Sequence, residues 1–358
     1  MPKIDPILQV MANVGASDLH LGAGAPPLLR VHGALEKTRH KALSADEVRL
    51  LLYELMGDEQ IQRFEQVGEL DFAYTVEGLA RFRVNIFKKH PGIAAAFRMI
   101  PHKVPTLEDL GFPAVLNQML SQKSGLILVT GPTNSGKTTT LAAMVDYLNE
   151  HMAYHIITLE DPLEYLHTDK NCLIHQRQIG EHSLSFAAAL RAALREDPNV
   201  VLVGEMRDNE TIALALTAAE IGLLVLATLH TKSAAQTISR LVDSFPVDQQ
   251  SQIRMTLSEV LVGICSQQLI RRADGKGRVA ALEILVRNHA VATLIRESKT
   301  HQIQNAILTG RKEGMQLMEQ HLKELISRNL ITLQEAARHV DNPQALTAAA
   351  GPPAAVNA

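Results

Sequence analysis

Residues 125–139 read GLILVTGPTNSGKTT, an apolar run that leads directly into a glycine-containing loop. Residues 131–138 match the Walker A pattern G-x-x-x-x-G-K-[ST], in which a strand precedes the loop and a helix follows it. The glycines let the backbone turn tightly, so that its N–H groups and the positive N-terminal end of the helix face an anion. This stretch predicts a nucleotide phosphate site in an α/β fold, against the alternative of a chance match in a glycine-rich turn.

The side chains of this loop have separate expected parts in nucleotide binding. Lys137 is expected to reach the β- and γ-phosphates of ATP, and the Thr138 hydroxyl is expected to coordinate Mg²⁺. Asn134 stands where related loops usually carry glycine, and asparagine tolerates positive φ better than most other residues. The predicted nucleotide-binding residues are Gly131, Pro132, Thr133, Asn134, Ser135, Gly136, Lys137, Thr138 and Thr139.

The chain around this loop alternates between apolar strands and helical stretches. Such alternation is typical of a parallel sheet covered by helices. The apolar run Thr211–Thr228 is interrupted by Glu220 and Gly222, so it is predicted as a buried helix followed by a buried strand, not as a membrane span. The predicted strands are Gly125–Thr130, Ile156–Glu160, Val200–Gly204 and Leu224–Thr228.

Acidic residues follow two of these strands. One buried strand leads into Glu205, the form of a Walker B element, and residues 160–164 bring three acids, among them Glu164, to the end of another. The carboxyl ends of parallel strands form the edge where α/β sheets bind ligands. Either cluster alone is typical of solvated acids, but after a Walker A loop they indicate residues that hold Mg²⁺ and orient water. His230 ends a third strand and is either a structural hydrogen-bonding residue or a contact to the γ-phosphate.

Proline content and strand pattern divide the chain into two domains. The N-terminal part mixes short strands with helices, and Ser44 with Glu47 forms a capping-box signal, which predicts a small α+β domain. Three prolines then mark a connection. The predicted boundaries are 1–100 for the N-terminal domain, 101–113 for the linker, 114–341 for the ATPase domain with C-terminal helices from about residue 289, and 342–358 for a disordered tail.

Composition narrows the classes of partner. The 358 residues are 46% hydrophobic and 20% charged, as expected for two globular domains. A net charge of -3 gives no basic surface, so nucleic acid is not expected as a partner. Cys172 and Cys265 are far apart in sequence, which suggests neither a disulfide framework nor a zinc site. Residues 1–10 lack a signal-peptide pattern, and a cytoplasmic protein is expected.

Ordered motifs along the chain resemble the type II/IV secretion ATPase superfamily and, within it, the PilT-like pilus retraction (twitching motility) ATPases. The resemblance runs from about Asp5 to His339, nearly the whole chain. Its markers are the segment Gly15–His20, the Walker A loop, the acidic run at 160–164 called the Asp box, the segment Gly204–Asp208, and the His-box segment 220–231.

The resemblance implies a fold and a set of catalytic roles. It implies a PAS-like N-terminal domain, a RecA-like ATPase domain, and a homo-hexamer with nucleotide sites between subunits. By the same resemblance, Glu164 is the general base for water and Glu205 supports Mg²⁺ through water. Arg81 and Arg83 are the expected arginine fingers on a neighbouring site, and the period of two in a strand places both on the face opposite Phe82.

The resemblance also implies partners and a location. A retraction motor is expected in the cytoplasm, peripheral to the inner membrane, in contact with an inner-membrane pilus platform protein and with a possible accessory motor paralogue. No direct membrane insertion is expected. The chain lacks the four-cysteine zinc insertion common in extension motors, and residues 290–303 resemble the C-terminal region that retraction motors need. Retraction therefore fits better than extension.

Two departures from the family pattern keep alternatives open. Leu223 stands where the His box has its first histidine, and Ile221 stands where it usually has threonine. An accessory retraction motor or a secretion-system ATPase of similar build fits the same motifs. A nucleotide-gated scaffold with little hydrolysis is a third reading, since Leu223 removes an imidazole. A DNA translocase is disfavoured because no basic stripe is visible.

Overall fold

The computed structural model describes residues 2–31, 33–100, 104–340 and 342–347. The chain forms two units, each with its own sheet and its own apolar core. The first unit holds residues 1–103 and 162–166, and the second holds residues 104–161 and 167–358. The α/β class predicted from the sequence is confirmed, as an α+β unit followed by a unit built on a mostly parallel sheet.

The described residues of the first unit form a six-stranded antiparallel sheet and three helices. Its strands lie in the order β3-β2-β1-β6-β5-β4. Its core gathers the buried Phe64, Phe82 and Phe97. The elements are α1 (Asp5–Asn13), β1 (Asp18–Gly22), β2 (Leu28–Val31), β3 (Ala34–Lys37), α2 (Ala45–Tyr53), α3 (Asp58–Val67), β4 (Glu69–Val76), β5 (Ala80–Lys88) and β6 (Ile93–Ile100).

Local sequence signals account for several of these elements. Helix α2 begins after Ser44, whose Oγ accepts from the Glu47 N–H while the Glu47 carboxylate accepts from the Ser44 N–H, as the predicted capping box requires. Strand β5 alternates as predicted, because Phe82 and Val84 are buried and Arg81 and Arg83 lie on the opposite, half-exposed face.

The second unit continues the chain from Val104. Residues 104–113, expected as part of the linker, belong to this unit, where Leu107 is buried. Its elements are α4 (Val115–Leu120), β7 (Gly125–Thr130), α5 (Lys137–His151), β8 (His155–Glu160), β9 (Leu173–Gln178), α6 (Phe186–Ala193), β10 (Val200–Val203), α7 (Asn209–Glu220), β11 (Leu224–Leu229), α8 (Ala234–Asp243), α9 (Val247–Val260), β12 (Leu261–Arg271), β13 (Arg278–Val286), α10 (His289–Arg296), α11 (Ile303–Thr309), α12 (Met318–Ser327), α13 (Leu333–Ala336) and α14 (Gln344–Thr347).

The sheet of the second unit brings the candidate site residues to one edge. Its order is β13-β12-β7-β11-β10-β8-β9, with every neighbouring pair parallel except β12 and β13. Both faces are covered, since Leu126 and Leu128 of β7 belong to one apolar cluster while Ile127 and Val129 belong to another. The Walker A loop therefore leaves the sheet between the ends of β12 and β11, at the carboxyl edge.

The C-terminal part packs on the β12–β13 hairpin. Leu322, Leu325 and Ile331 form a small buried cluster with Ile270 and Ala281 of that hairpin. The tail expected from residue 342 contains the short helix α14, whose Leu346 is buried in the same cluster, whereas residues 348–358 and the predicted linker residues 101–103 lie outside the described residues. Among the residues that the structure describes, no helix is long and apolar enough to cross a bilayer.

Candidate nucleotide site

The Walker A loop has the backbone conformation that its residue types predict. Gly131 and Gly136 have φ of 146° and 89°, and Asn134 lies in the left-handed region with φ of 65°. A side chain at Gly131 is also excluded by space, because a Cβ there would lie 2.2 Å from the Gln267 carbonyl oxygen. Helix α5 begins at Lys137, so its N-terminal end meets the loop.

Lys137 is folded back onto this loop. Its Nζ donates to the carbonyl oxygens of Gly131 and Pro132, at 2.9 and 3.0 Å. Burial lowers the pKa of Lys137, and the nearby charge of Glu205 acts in the opposite direction. The Ser135 hydroxyl is buried and has no hydrogen-bond partner among the described residues. A half-buried ammonium and an unpaired hydroxyl on one loop fit a phosphate group, which would offer oxygen acceptors to both.

Glu205 follows β10, and bonds between neighbouring strands set its position. The Gly204 N–H donates to the Leu159 carbonyl oxygen of β8 at 2.8 Å. The Thr228 hydroxyl of β11 donates to the Gly204 carbonyl oxygen at 2.5 Å, and the Met206 N–H donates to the Thr228 carbonyl oxygen at 3.3 Å. The chain on both sides of Glu205 is thus tied to β8 and β11.

The Glu205 carboxylate lies between two basic side chains. His230 Nε2 is 2.9 Å from Oε1, and an Arg207 guanidinium nitrogen is 2.8 Å from Oε2. Burial by itself opposes ionisation of Glu205, but hydrogen bonds and charge from Arg207 and then His230 prevail and lower its pKa. Glu205 is therefore an ionised carboxylate at neutral pH, held in orientation from both sides.

Thr138 and Glu205 are the residues that would hold Mg²⁺ with a bound nucleotide. Within the described parts of the chain, no group of three His, Cys, Asp or Glu side chains could hold a metal ion by itself. Magnesium at nucleotide sites needs no such cage, since one or two protein groups, phosphate oxygens and water complete its shell. A single ionised carboxylate close to the Walker A lysine fits this mode of binding.

The other predicted catalytic residues belong to the first unit. Arg81 and Arg83 lie on β5, and Arg83 Nε is 3.8 Å from an Asp71 carboxylate oxygen. Glu164 belongs to the segment 162–166, which groups with the first unit although it follows β8. The second unit thus brings together Lys137, Thr138, Glu205 and His230 of the predicted site, whereas Glu164, Arg81 and Arg83 belong to the other unit.

The Gln176 side chain of β9 bonds to the chain on both sides of the segment that carries Glu164. Its amide nitrogen lies 3.4 Å from a Glu160 carboxylate oxygen, and its amide oxygen accepts from the His167 N–H at 2.8 Å. Glu160 also accepts from the Thr158 hydroxyl at 2.7 Å. Glu160 and His167, which lie on either side of the segment 162–166, are therefore bound to one side chain.

The first sheet carries a row of charged side chains on neighbouring strands, which the sequence did not predict. Arg98 Nε donates to Asp18 at 2.9 Å, and Arg30 Nε lies 3.8 Å from the other Asp18 oxygen. Strand register places Arg83 directly beside Arg98. The expected finger residue is thus next to a second arginine that Asp18 neutralises. Alternation in β6, where Arg98 follows the buried Phe97, is the one signal that could have pointed to this row.

The two departures in the His box lie at the amino end of β11, whereas His230 follows its carboxyl end. Leu223 packs partly buried against the apolar cluster of the second unit, and its N–H donates to the Ala218 carbonyl oxygen at 3.0 Å. Ile221 is 62% exposed. Leucine at position 223 is therefore accommodated as a packing residue.

A family model, related sequences and a solved structure all match this chain over most of its length. The family model described as "Type II/IV secretion system protein" matches residues 1–352. The chain is 49% identical to "Type IV pilus retractation ATPase PilT" of Pseudomonas aeruginosa, over 95% of this chain and 99% of that protein. It is 48% identical to "Twitching motility protein" of Neisseria gonorrhoeae, over 90% and 86%. A crystal structure of the pilus retraction motor PilT with bound ADP superposes with a TM-score of 0.89 at 46% identity, covering 96% of this chain and 98% of that one.

Proposed function

The chain belongs to the type II/IV secretion system protein family, and from that premise we propose that it is a Mg²⁺-dependent ATPase that drives retraction of a type IV pilus. One observation carries the proposal. The Walker A lysine, Lys137, and the ionised Glu205 paired with His230 occupy one site in a chain that matches a pilus retraction ATPase over nearly its whole length. Family membership alone indicates nucleotide chemistry, and the identity to the retraction ATPase indicates its use.

Different residues of the second unit bind the phosphates of ATP and the magnesium ion. The loop N–H groups and Lys137 hold the β- and γ-phosphates, for which Lys137 exchanges its contacts with the Gly131 and Pro132 carbonyl oxygens. Thr138 and Glu205 hold the magnesium ion, which when bound neutralises phosphate charge. The His230 ring orients the Glu205 carboxylate through this bond, so a shift of that carboxylate caused by the neighbouring phosphate also shifts His230.

Hydrolysis needs groups that the first unit supplies. In the proposed reaction water attacks the γ-phosphorus, the bond to the ADP oxygen breaks, and Glu164 takes the proton that the water loses. Arg81 and Arg83 act on the site of a neighbouring subunit, where their charge stabilises the leaving phosphate oxygens. Since these arginines must cross a subunit boundary, the active form is an oligomer, and the family resemblance makes it a homo-hexameric ring.

The setting of this activity is inferred from the same family. We place the ring in the cytoplasm at the inner membrane, against a pilus platform protein, with an accessory motor paralogue as a further partner. A primary retraction motor is preferred to an accessory or secretion-system ATPase because the chain is 49% identical to the retraction ATPase over 95% of its length. A scaffold with little hydrolysis is disfavoured, since Leu223 packs against the apolar core and His230 is paired with Glu205.

Steady-state ATP hydrolysis with Mg²⁺ tests the enzyme, with the mass determined by light scattering. We expect a hexamer whose turnover falls at least a hundredfold in Glu164→Gln and in Lys137→Ala. Glu210→Gln, which changes an exposed acid paired with Arg191, is the matched control and should keep its rate. A hexamer that binds ATP without turnover in the unmodified chain would favour the scaffold.

Complementation tests the biological use of the motor. Expression of the chain in a bacterium that lacks its own retraction ATPase should restore twitching, and Lys137→Ala should not. Turnover in the test tube without restored twitching, despite normal expression, would favour an accessory motor or a secretion-system ATPase.

A further inference from the structure

A buried amide on β12 lies directly beneath the Walker A loop. We propose that Gln267 is a positioning residue, which holds this loop in its phosphate-binding shape without touching the nucleotide. Gln267 is 1% exposed and lies on the strand that pairs with β7. The inference rests on the proposal that the loop binds nucleotide, and it assigns a part to a residue outside every motif of the sequence.

Two hydrogen bonds join the Gln267 amide to the loop and to the helix after it. Its Nε2 donates to the Ser135 carbonyl oxygen at 2.7 Å, and its Oε1 accepts from the Thr140 hydroxyl at 2.9 Å. The orientation of the amide follows from chemistry, because a carbonyl oxygen can only accept and the nitrogen must therefore face Ser135. Both bonds span more than a hundred residues of sequence and so exist only in the folded sheet.

The two bonds bracket the residues that bind phosphate. Ser135 precedes Gly136 and Lys137, and Thr140 lies in the first turn of α5. Fixing the chain on both sides fixes the direction of the N–H groups between them. Nucleotide binding then costs less ordering of the loop, which is how a group remote from the ligand raises affinity.

The loop also packs closely against Gln267. A Cβ at Gly131 would lie 2.2 Å from the main-chain carbonyl oxygen of Gln267, and a Cβ at Gly136 would lie 3.2 Å from its side-chain nitrogen. Both glycines of the Walker A pattern therefore face Gln267, besides having positive φ. The Gly131 contact is to the main chain and persists when the side chain at position 267 changes, so loss of the amide removes the bonds to Ser135 and Thr140 and not this contact.

The chemistry of the position favours a role in the loop over a role in the core. A buried amide costs free energy unless it is hydrogen-bonded, whereas an apolar side chain of similar length would fill the same space at no such cost. The next residue, Gln268, bonds to His339 in the C-terminal part and not to the loop. Gln268 therefore provides a matched control on the same strand.

Affinity for ADP tests the inference without requiring hydrolysis. In Gln267→Met, which keeps the length of the side chain, we expect ADP to bind about tenfold more weakly by calorimetry, equal to about 1.4 kcal/mol. Thr140→Val removes the bond to Gln267 together with the 3.2 Å bond of the same hydroxyl to the Gly136 carbonyl oxygen and should weaken binding by a smaller factor, and Thr140→Ser, which keeps the hydroxyl, should restore it. Gln268→Met should stay within about twofold of the unmodified chain.

Hydrogen exchange of residues 131–138 without nucleotide tests the loop itself. Exchange should be faster in Gln267→Met and in Thr140→Val, and unchanged in Gln268→Met and Thr140→Ser. Because kcat reflects groups that act on the reacting atoms, it should fall less than the affinity does. The split between affinity and kcat distinguishes positioning from general loss of structure.

Several outcomes would overturn the inference. Unchanged ADP affinity and unchanged loop exchange in both Gln267→Met and Thr140→Val would do so, as would an equal effect in Gln268→Met. If Gln267→Met does not fold, Thr140→Val is compared with Thr140→Ser, and unchanged ADP affinity and loop exchange in Thr140→Val would then overturn the inference. Failure of the unmodified chain to bind ADP would instead contradict the proposed function, and the exchange data would still show whether Gln267 holds the loop.

Discussion

His230 Nε2 lies 2.9 Å from Glu205 Oε1, so the ends of two neighbouring parallel strands are joined at an ionised carboxylate. The contact gives each residue a defined orientation, and Arg207 fixes the other carboxylate oxygen. A change at the phosphates that moves Glu205 must also move His230 and the chain after β11. We therefore propose that the pair links the nucleotide state to the loop that leads into α8.

Replacement of His230 tests this link. His230→Ala leaves Glu205 bound by Arg207 alone, and we expect steady-state hydrolysis at saturating ATP to fall at least tenfold because the carboxylate loses its orientation. ADP affinity should stay within about threefold, since the phosphate loop is untouched. Lys232→Ala, at an exposed position of the same loop, is the control and should keep its rate. A normal rate in His230→Ala would refute the link.

Leu223→His restores the family residue at the His-box departure. Leu223 is separated from His230 by the length of β11, about 20 Å by the rise of a strand. We therefore expect a hydrolysis rate within about twofold of the unmodified chain. Stability should fall by about 1 kcal/mol, measured by urea denaturation, because an imidazole replaces apolar contacts. A large increase in rate would show that this position limits turnover.

Asp18→Asn tests the row of charges on the first sheet. Burial opposes ionisation of Asp18, but hydrogen bonds from Ser17 and Arg98 outweigh it and lower its pKa. A lowered pKa stabilises the fold above the ordinary pKa of the group, and that contribution is lost as pH falls through the folded value. We expect the variant to be about 1 kcal/mol less stable at pH 7, with a difference that shrinks below about pH 4.

The matched control for Asp18 is Asp71→Asn, which removes a more exposed acid of the same unit. Its effect on the urea midpoint should be smaller, because exposed ion pairs contribute little. Equal effects of the two substitutions would show that Asp18 has no special part in the sheet.

The Glu283 carboxylate accepts hydrogen bonds from the first residues of two helices. Its Oε1 accepts from the Ala234 N–H at 2.7 Å, and the Met318 N–H is a second donor, so α8 and α12 share an acceptor on β13. Glu283→Ala should cost about 2–3 kcal/mol in urea denaturation, since buried donors lose their partner. Glu283→Gln, which keeps one acceptor, should cost less, and Glu220→Ala at an exposed position should cost little. Equal losses in the Ala and Gln variants would argue against the shared acceptor.

We expect the buried His167 to lower the free energy of unfolding at acidic pH. Burial lowers the pKa of His167 to about 4, and its buried Nδ1 has no partner among the described residues. Since the unfolded chain binds the proton near pH 6.5, stability falls as pH decreases from about 6.5 toward 4. The loss between pH 7 and pH 5 should be about 2 kcal/mol by urea denaturation, and it should be absent in His167→Gln. The same loss in both proteins would exclude His167 as its source.

Local signals in the sequence were sufficient for the elements and for part of the site. The Walker A loop, the capping box at Ser44 and the strand Gly125–Thr130 follow from backbone preferences and hydrogen bonds between residues a few positions apart, and the structure confirms them. The family and the α/β class also follow from the sequence, because five motifs in a fixed order leave few alternatives. The roles of Glu164, Arg81 and Arg83 remain proposals.

Only the tertiary structure decided which polar side chains meet. The bonds of Gln267 to Ser135 and Thr140, and of Gln176 to both ends of the Glu164 segment, depend on strand order and register. The grouping of residues 162–166 with the first unit is equally invisible in a pattern of local spacing. The physical reason is that periodicity and caps record interactions within one element, whereas these contacts join elements whose neighbours are set by the packing of the whole sheet.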